Sequence, residues 1–176
     1  MQVSKGNTIS VKKVIVKGED ECPNAVCHPV TKCDRRLHRL IEDMKATLLE
    51  ENGVGLAAPQ IGTVRRIFVI NNNGVLKEYI NPEILETVGE QDCVEGCLSL
   101  PDVWGRVKRP AWVKIRAQDE HGEFFEDSAD GLIAECFVHE NDHLDGILFD
   151  SKVYEFLDEE AVRREQQTKK AKAKLK

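Results

Sequence analysis

The sequence predicts an α+β protein in which antiparallel β-sheets pack around one central helix, with a further helix in the N-terminal half and another at the C-terminus. Three observations lead there. Short β-rich runs follow one another from Val64 to Glu126, broken by turn signals at Asn71–Gly74 and at His121-Gly122. The stretch Cys136–Leu148 has the opposite pattern, with chemically distinctive and apolar residues at helical spacing. A chain of 176 residues with no internal repeat or interdomain linker is expected to form one domain over residues 1–176, long enough to bury a substantial core.

Taken in order, residues 1–33 read as irregular, with Pro23 and Pro29 breaking any long element and Val11–Val16 as a short strand. Asp34 is a helix N-cap. Leu37, Leu40, Ile41, Met44 and Leu48 recur at helical spacing to about Glu51, and Asn52-Gly53 supplies the stop. Gly53, Gly55 and Ala58 fit the dinucleotide fingerprint G-x-G-x-x-A when read literally. That fingerprint follows a strand and opens a helix. Here the segment follows a helix and meets Pro59, so no nucleotide cofactor is expected. The segment reads as a loop of small residues open to close backbone approach, with Gln60 as its polar side chain. Strands are expected at Val64–Ile70, Leu76–Ile80, Glu83–Val88, Trp112–Ala117 and Glu123–Glu126, and a last helix at Tyr154–Lys176.

Composition narrows the class. A hydrophobic fraction of 41% beside 32% charged residues describes a soluble globular protein, and no run approaches a membrane span. The opening MQVSKGNTIS lacks the apolar core of a secretory signal, so the cytoplasm is the expected compartment and the six cysteines are expected as thiols. Cys22, Cys27 and Cys33 with His28 match no tight zinc knuckle and read as free or packed thiols. Residues 163–176 hold seven Lys/Arg and one Glu, a local +6 against a net charge of −6, so the remainder carries −12. An acidic body with a basic tail directs polyanions to the tail.

The chemistry concentrates in His139-Glu140-x-x-His143. Histidines four apart share one helix face, so one metal ion can be held by both rings. Leu132, Cys136, His139 and His143 fall along one line and Ile133, Phe137, Glu140 and Leu144 along the next, while Glu135, Asn141, Asp142 and Asp145 are expected to point the other way. A carboxylate on an apolar face is costly unless it has a task, and in metallohydrolases that task is handling the protons of a metal-activated water. The motif alone also occurs by chance on solvated helices, and it needs a third ligand from elsewhere. Cys97, after Gly96 in Glu95–Pro101, is a thiolate candidate for a soft divalent ion. As a free cysteine it also reads as a small buried hydrophobe.

Taken together, Gly53–Gln60, Glu95–Ser99 and His139–His143 resemble the three motifs of the peptide deformylases, G-x-G-L-A-A-x-Q, E-G-C-x-S and H-E-x-x-H, in the family's order, with Asp142 also matching. The resemblance spans about Asp34 to Asp150. It implies a hydrolase that removes the formyl group from N-formyl-methionyl peptides and nascent chains and releases formate. Cys97, His139 and His143 would ligate one divalent ion, with iron(II) the physiological one and zinc, nickel or cobalt suited to the same donors. Glu140 would be general base and acid, and the Gln60 side chain and Leu98 backbone N–H would stabilise the oxyanion. Gly55 and its neighbours would hold the peptide as an added strand. Val54, Cys93, Leu132 and Cys136 would line the methionine pocket, and Glu95 and Arg109 would pair behind the cysteine segment.

The basic tail is similar to a C-terminal element with which one subclass docks on the ribosome. The chain departs from the family at Val138, usually Gln, at Glu135 near the pocket rim, and over Pro23–Pro29. The competing readings are a zinc peptidase cutting internal amide bonds and a non-catalytic binding module. The presence of all four of Cys97, His139, Glu140 and His143 speaks against the second.

Overall fold

The computed structural model describes residues 9–173. In these residues the strands are β1 (Gly55–Ala57), β2 (Ile67–Asn72), β3 (Val75–Val88), β4 (Gln91–Cys97), β5 (Leu100–Arg109), β6 (Trp112–Gln118), β7 (Phe124–Asp130) and β8 (Glu155–Leu157). The α-helices are α1 (Arg35–Glu50), α2 (Gly131–Leu144) and α3 (Glu159–Ala173). The strands form two antiparallel sheets, ordered β1-β2-β3-β6-β7 and β4-β5-β8, which is the expected α+β architecture.

Strand β2 organises the core. Successive side chains point to opposite faces of a sheet. Ile67 and Val69 therefore pack with Leu37, Ile41, Met44 and Leu48 of α1, while Phe68 and Ile70 join Phe137 and Ala134 of α2. Helix α1 begins where expected: the Asp34 carboxylate accepts from the Arg36 and Leu37 backbone N–H groups at 2.9 and 3.1 Å. Burying each large apolar side chain of α1 contributes about 1.5–3 kcal/mol. A third cluster, Leu100, Val107, Leu148 and Phe149, fills the smaller sheet.

Four sequence expectations change. Val11–Val16 forms no strand. It becomes a strap whose donors go to separate segments: the Lys12 N–H to the Thr47 hydroxyl at 2.9 Å, the Ile15 N–H to Gln60 O and, just beyond it, the Lys17 N–H to Ser99 O, both at 2.8 Å. The small-residue loop at 53–62 contains an edge strand, β1, and a 3-10 turn at Ala58–Ile61. The two strands expected on either side of Asn81-Pro82 are one strand, β3. A bulge absorbs the proline, and the Asn81 side chain clamps the Val30 N–H and C=O at 2.8 and 2.9 Å. Tyr154–Asp158 is not helical; β8 precedes α3 there.

Candidate active site

Cys97 ends β4, and the tight connection to β5 passes through Leu98 and Ser99. Helix α2 is set against this hairpin. It brings His139 and His143 so close that their ring nitrogens and the Cys97 sulfur all lie within 4.8 Å of one another. Cys97 Sγ is 3.2 Å from His143 Nε2, and the two imidazole centroids are 5.0 Å apart. One thiolate and two imidazoles converging on a point suit a divalent transition ion. Burial pushes the His143 imidazole well below its ordinary range, keeping it neutral as a ligand must be.

Behind the triad runs a buried charge chain. His139 Nδ1 is 2.8 Å from Glu95 Oε2, which leaves Nε2 as the nitrogen for an ion. Arg109 grips Glu95 with Nε at 2.6 Å and Nη2 at 2.9 Å, and its Nη1 reaches Asp142 at 2.6 Å. Lys152 closes the chain on Asp142, also at 2.6 Å. Burial alone would raise the Glu95 pKa, but the hydrogen bonds from Arg109 and His139 outweigh it and hold it at about 2. The pairing of Glu95 with Arg109 is thus as the sequence suggested. Asp142, expected to face solvent, is instead drawn inward by Arg109 and Lys152.

Glu140 lies almost wholly buried, and its Oε2 has no hydrogen-bond partner among the described residues. Burial raises it to about 7. Gly55 makes room for it: a β-carbon there would overlap Glu140 Oε1 and stand 2.6 Å from Cys136 Sγ. Gln60 is oriented from one side by the Ala57 N–H, which donates to its Oε1 at 2.8 Å. Its Nε2 therefore points at Cys97 Sγ (3.5 Å) and Ser99 Oγ (3.3 Å).

These groups open on a cleft of about 670 Å³. Leu132, Glu135, Cys136, His139 and Glu140 face it from α2 at positions i, i+3, i+4, i+7 and i+8. Val54, Gly55, Gln60 and Leu98 face it from the other side. Glu135 therefore looks into the cleft rather than away from it. The reason is that α2 is wedged between two sheets and has no broad solvent side; its Ala134 and Phe137 are buried as well. Cys93, expected on the pocket wall, is buried in β4 beside Glu95 and Glu135. Leu132 is 58% exposed at the mouth. Ser99, Lys152 and the strap at Ile15–Lys17 were not foreseen as parts of the site. Only Ser99 carried a signal, its place in the Glu95–Ser99 motif.

A family model described as polypeptide deformylase matches residues 12–157. The chain is 48% identical over 146 residues to the peptide deformylase of Caldicellulosiruptor bescii, covering 83% of this chain and 88% of that one. It is 44% identical over 155 residues to peptide deformylase 1 of Bacillus subtilis, covering 86% and 96%. The crystal structure of the Thermotoga maritima peptide deformylase superposes with a TM-score of 0.78 at 37% identity, covering 81% of this chain and 97% of that one. An Acinetobacter baumannii peptide deformylase with Met-Ala-Ser bound gives a TM-score of 0.78 at 34% identity, covering 83% and 100%.

Proposed function

The chain belongs to the polypeptide deformylase family, and on that premise we propose which of its groups perform the reaction. It is a metal-dependent hydrolase that removes the N-formyl group from formyl-methionyl nascent peptides. Hydrolysis breaks the formyl C–N bond, and formate and a free amine leave.

Cys97, His139 and His143 hold the ion in this reading. When bound, it supplies Lewis acidity that lowers the pKa of water and polarises the formyl oxygen. Glu140 takes a proton from the attacking water at Oε2 and returns one to the departing nitrogen. A carboxylate raised to about 7 by burial is suited to both halves of that task. The Gln60 Nε2 amide and the Leu98 backbone N–H donate to the oxygen as it becomes an oxyanion. Such donors act best when already fixed, and Gln60 is fixed by Ala57. Strands β1 and β4 are both sheet edges beside the cleft, so a peptide can add as a strand along Val54-Gly55. Leu132 and Cys136 flank its first side chain.

The observation that carries this reading is the convergence of three metal-ligating atoms within 4.8 Å beside an unpartnered, buried carboxylate oxygen. The test is formate release from formyl-Met-Ala-Ser with no internal cleavage of either the formylated or the unformylated peptide. Internal cleavage would favour the peptidase reading.

For the ion, iron(II) is proposed because the family resemblance implies it; a thiolate with two imidazoles suits iron(II), zinc, nickel and cobalt alike. Metal analysis after anaerobic purification tests this. The whole chain is taken as one catalytic domain acting in the cytoplasm; no helix of the described residues is long and apolar enough to cross a membrane. The basic tail at 163–176 is proposed to meet ribosomal RNA phosphates, although Lys174–Lys176 lie outside the described residues. In α3, Arg163 and Arg164 pair with Glu159 and Glu160 at 2.5 and 3.1 Å, so part of that charge is already engaged. Unchanged ribosome cosedimentation at low salt after deletion of residues 163–176 would end that idea.

A further inference from the structure

The cleft has a polar wall that the deformylase reaction as described does not use. Glu135 faces it from α2, one residue before Cys136. A Glu135 carboxylate oxygen, the Cys93 sulfur and a Glu95 carboxylate oxygen lie within 4.8 Å of one another. The Glu135 carboxylate is thus turned inward toward β4, close enough to the Cys93 sulfur to add to burial in raising that thiol's pKa. The trio does not suit an ion, because Arg109 and His139 already hold both oxygens of Glu95.

The placement of Glu135 relative to the reacting atoms fixes what it can meet. The chemistry is at His139, Glu140 and His143. One helical turn back, about 5.4 Å, lie Glu135 and Cys136. That is close to the reach of an extended four-atom side chain starting one bond beyond the broken C–N bond. Glu135 is partly buried there, between the buried Cys93, Glu95 and Cys136 on one side and the exposed Leu132 at the mouth on the other. The first side chain of the substrate therefore ends against Glu135. A thioether there strips water from a carboxylate and returns no hydrogen bond, whereas an ammonium or amide group returns one.

Resting on the deformylase reading, we infer that Glu135 is a specificity-determining residue: its carboxylate extends the enzyme's range to N-formyl peptides whose first side chain ends in a hydrogen-bond donor or a cation.

The experiment compares kcat/KM for formyl-Met-Ala-Ser and formyl-Lys-Ala-Ser, formylated on the α-nitrogen, using the metal-loaded wild type, Glu135→Leu and the near-isosteric Glu135→Gln. Bound metal is measured in each. Loss of a partly buried charged hydrogen bond predicts that the Lys-to-Met ratio falls by about tenfold or more in Glu135→Leu and by less in Glu135→Gln. The change should lie mainly in KM, with metal content retained. A ratio that stays within about twofold of wild type in both variants overturns the inference. Wild-type protein that releases formate from neither peptide overturns the deformylase reading itself, and this inference with it.

Discussion

Arg109 holds Glu95 through two hydrogen bonds, Nε to Oε1 at 2.6 Å and Nη2 to Oε2 at 2.9 Å, and the same Glu95 Oε2 lies 2.8 Å from His139 Nδ1. A guanidinium from β5 thereby orients a proposed metal ligand on α2 through one intervening carboxylate. Truncating Arg109 leaves Glu95 and Asp142 buried without their shared cation. Arg109→Ala should lose about 3–5 kcal/mol of stability and bind its metal about 10–100-fold more weakly. Denaturant unfolding and metal titration check both, and wild-type metal content and activity would remove Arg109 from the account.

The same contact sets an acid limit. Glu95 is held at about 2 in the folded chain, against an ordinary glutamate value of about 4.3. A depressed carboxylate stabilises the fold fully above its unfolded value, and the contribution disappears as pH falls through the folded one. Stability should therefore decline between pH ~4.5 and ~2, by about 3 kcal/mol from this residue. Unfolding free energies across that window should show a shallower decline in Glu95→Gln.

Glu140→Gln should keep its metal and lose activity. General base and acid work is worth about 10²–10⁴-fold, and formate release should fall by that factor. In the wild type the base must be ionised, so the rate rises with pH through the Glu140 pKa. Burial puts that value at about 7, and a divalent cation at the neighbouring triad moves it lower. The acid limb of kcat/KM should therefore have its midpoint below 7 in the loaded enzyme. A flat profile down to pH 5 would contradict the role.

Gly55→Ala tests the space that Glu140 occupies. The added methyl overlaps Glu140 Oε1 and stands 2.6 Å from Cys136 Sγ, so the carboxylate must move. A displacement of about 1 Å at a reacting group can cost 10²-fold. Formate release should drop by about that much while stability changes by only about 1–3 kcal/mol, the usual cost of overpacking. Wild-type kcat would mean that Glu140 can work from a different position.

Much of this was readable in the chain because it rests on local pattern. Asp34 caps α1, and the spacing of Leu37, Ile41, Met44 and Leu48 gives its buried face, since both depend on neighbours within a few residues. His139, Glu140 and His143 were legible for the same reason, and Cys97 only through its motif. What failed depended on partners distant in sequence. Asp142 looked solvent-facing because Arg109, 33 residues away, and Lys152 were not visible on a helical wheel. The helical wheel assigned Glu135 outward although it sits only about 40° from His139 around the helix, because a two-sided helix was assumed where both sides are covered; the family resemblance, which put it near the pocket rim, came closer. Val11–Val16 has strand composition, but its backbone donors go singly to separate partners, Lys12 to the Thr47 hydroxyl and Ile15 to Gln60 O, a choice made by tertiary packing.

The positions of the three ligands along the chain also govern the order of assembly. One donor comes from residue 97 and the others from residues 139 and 143, so no ion can be captured until α2 has been synthesised and has docked against the β4–β5 hairpin. Ion capture is therefore a late folding event that seals the seam between the two sheets. A chelator should accordingly loosen that seam first, speeding amide exchange in α2 and β4 while leaving α1 and β2 protected.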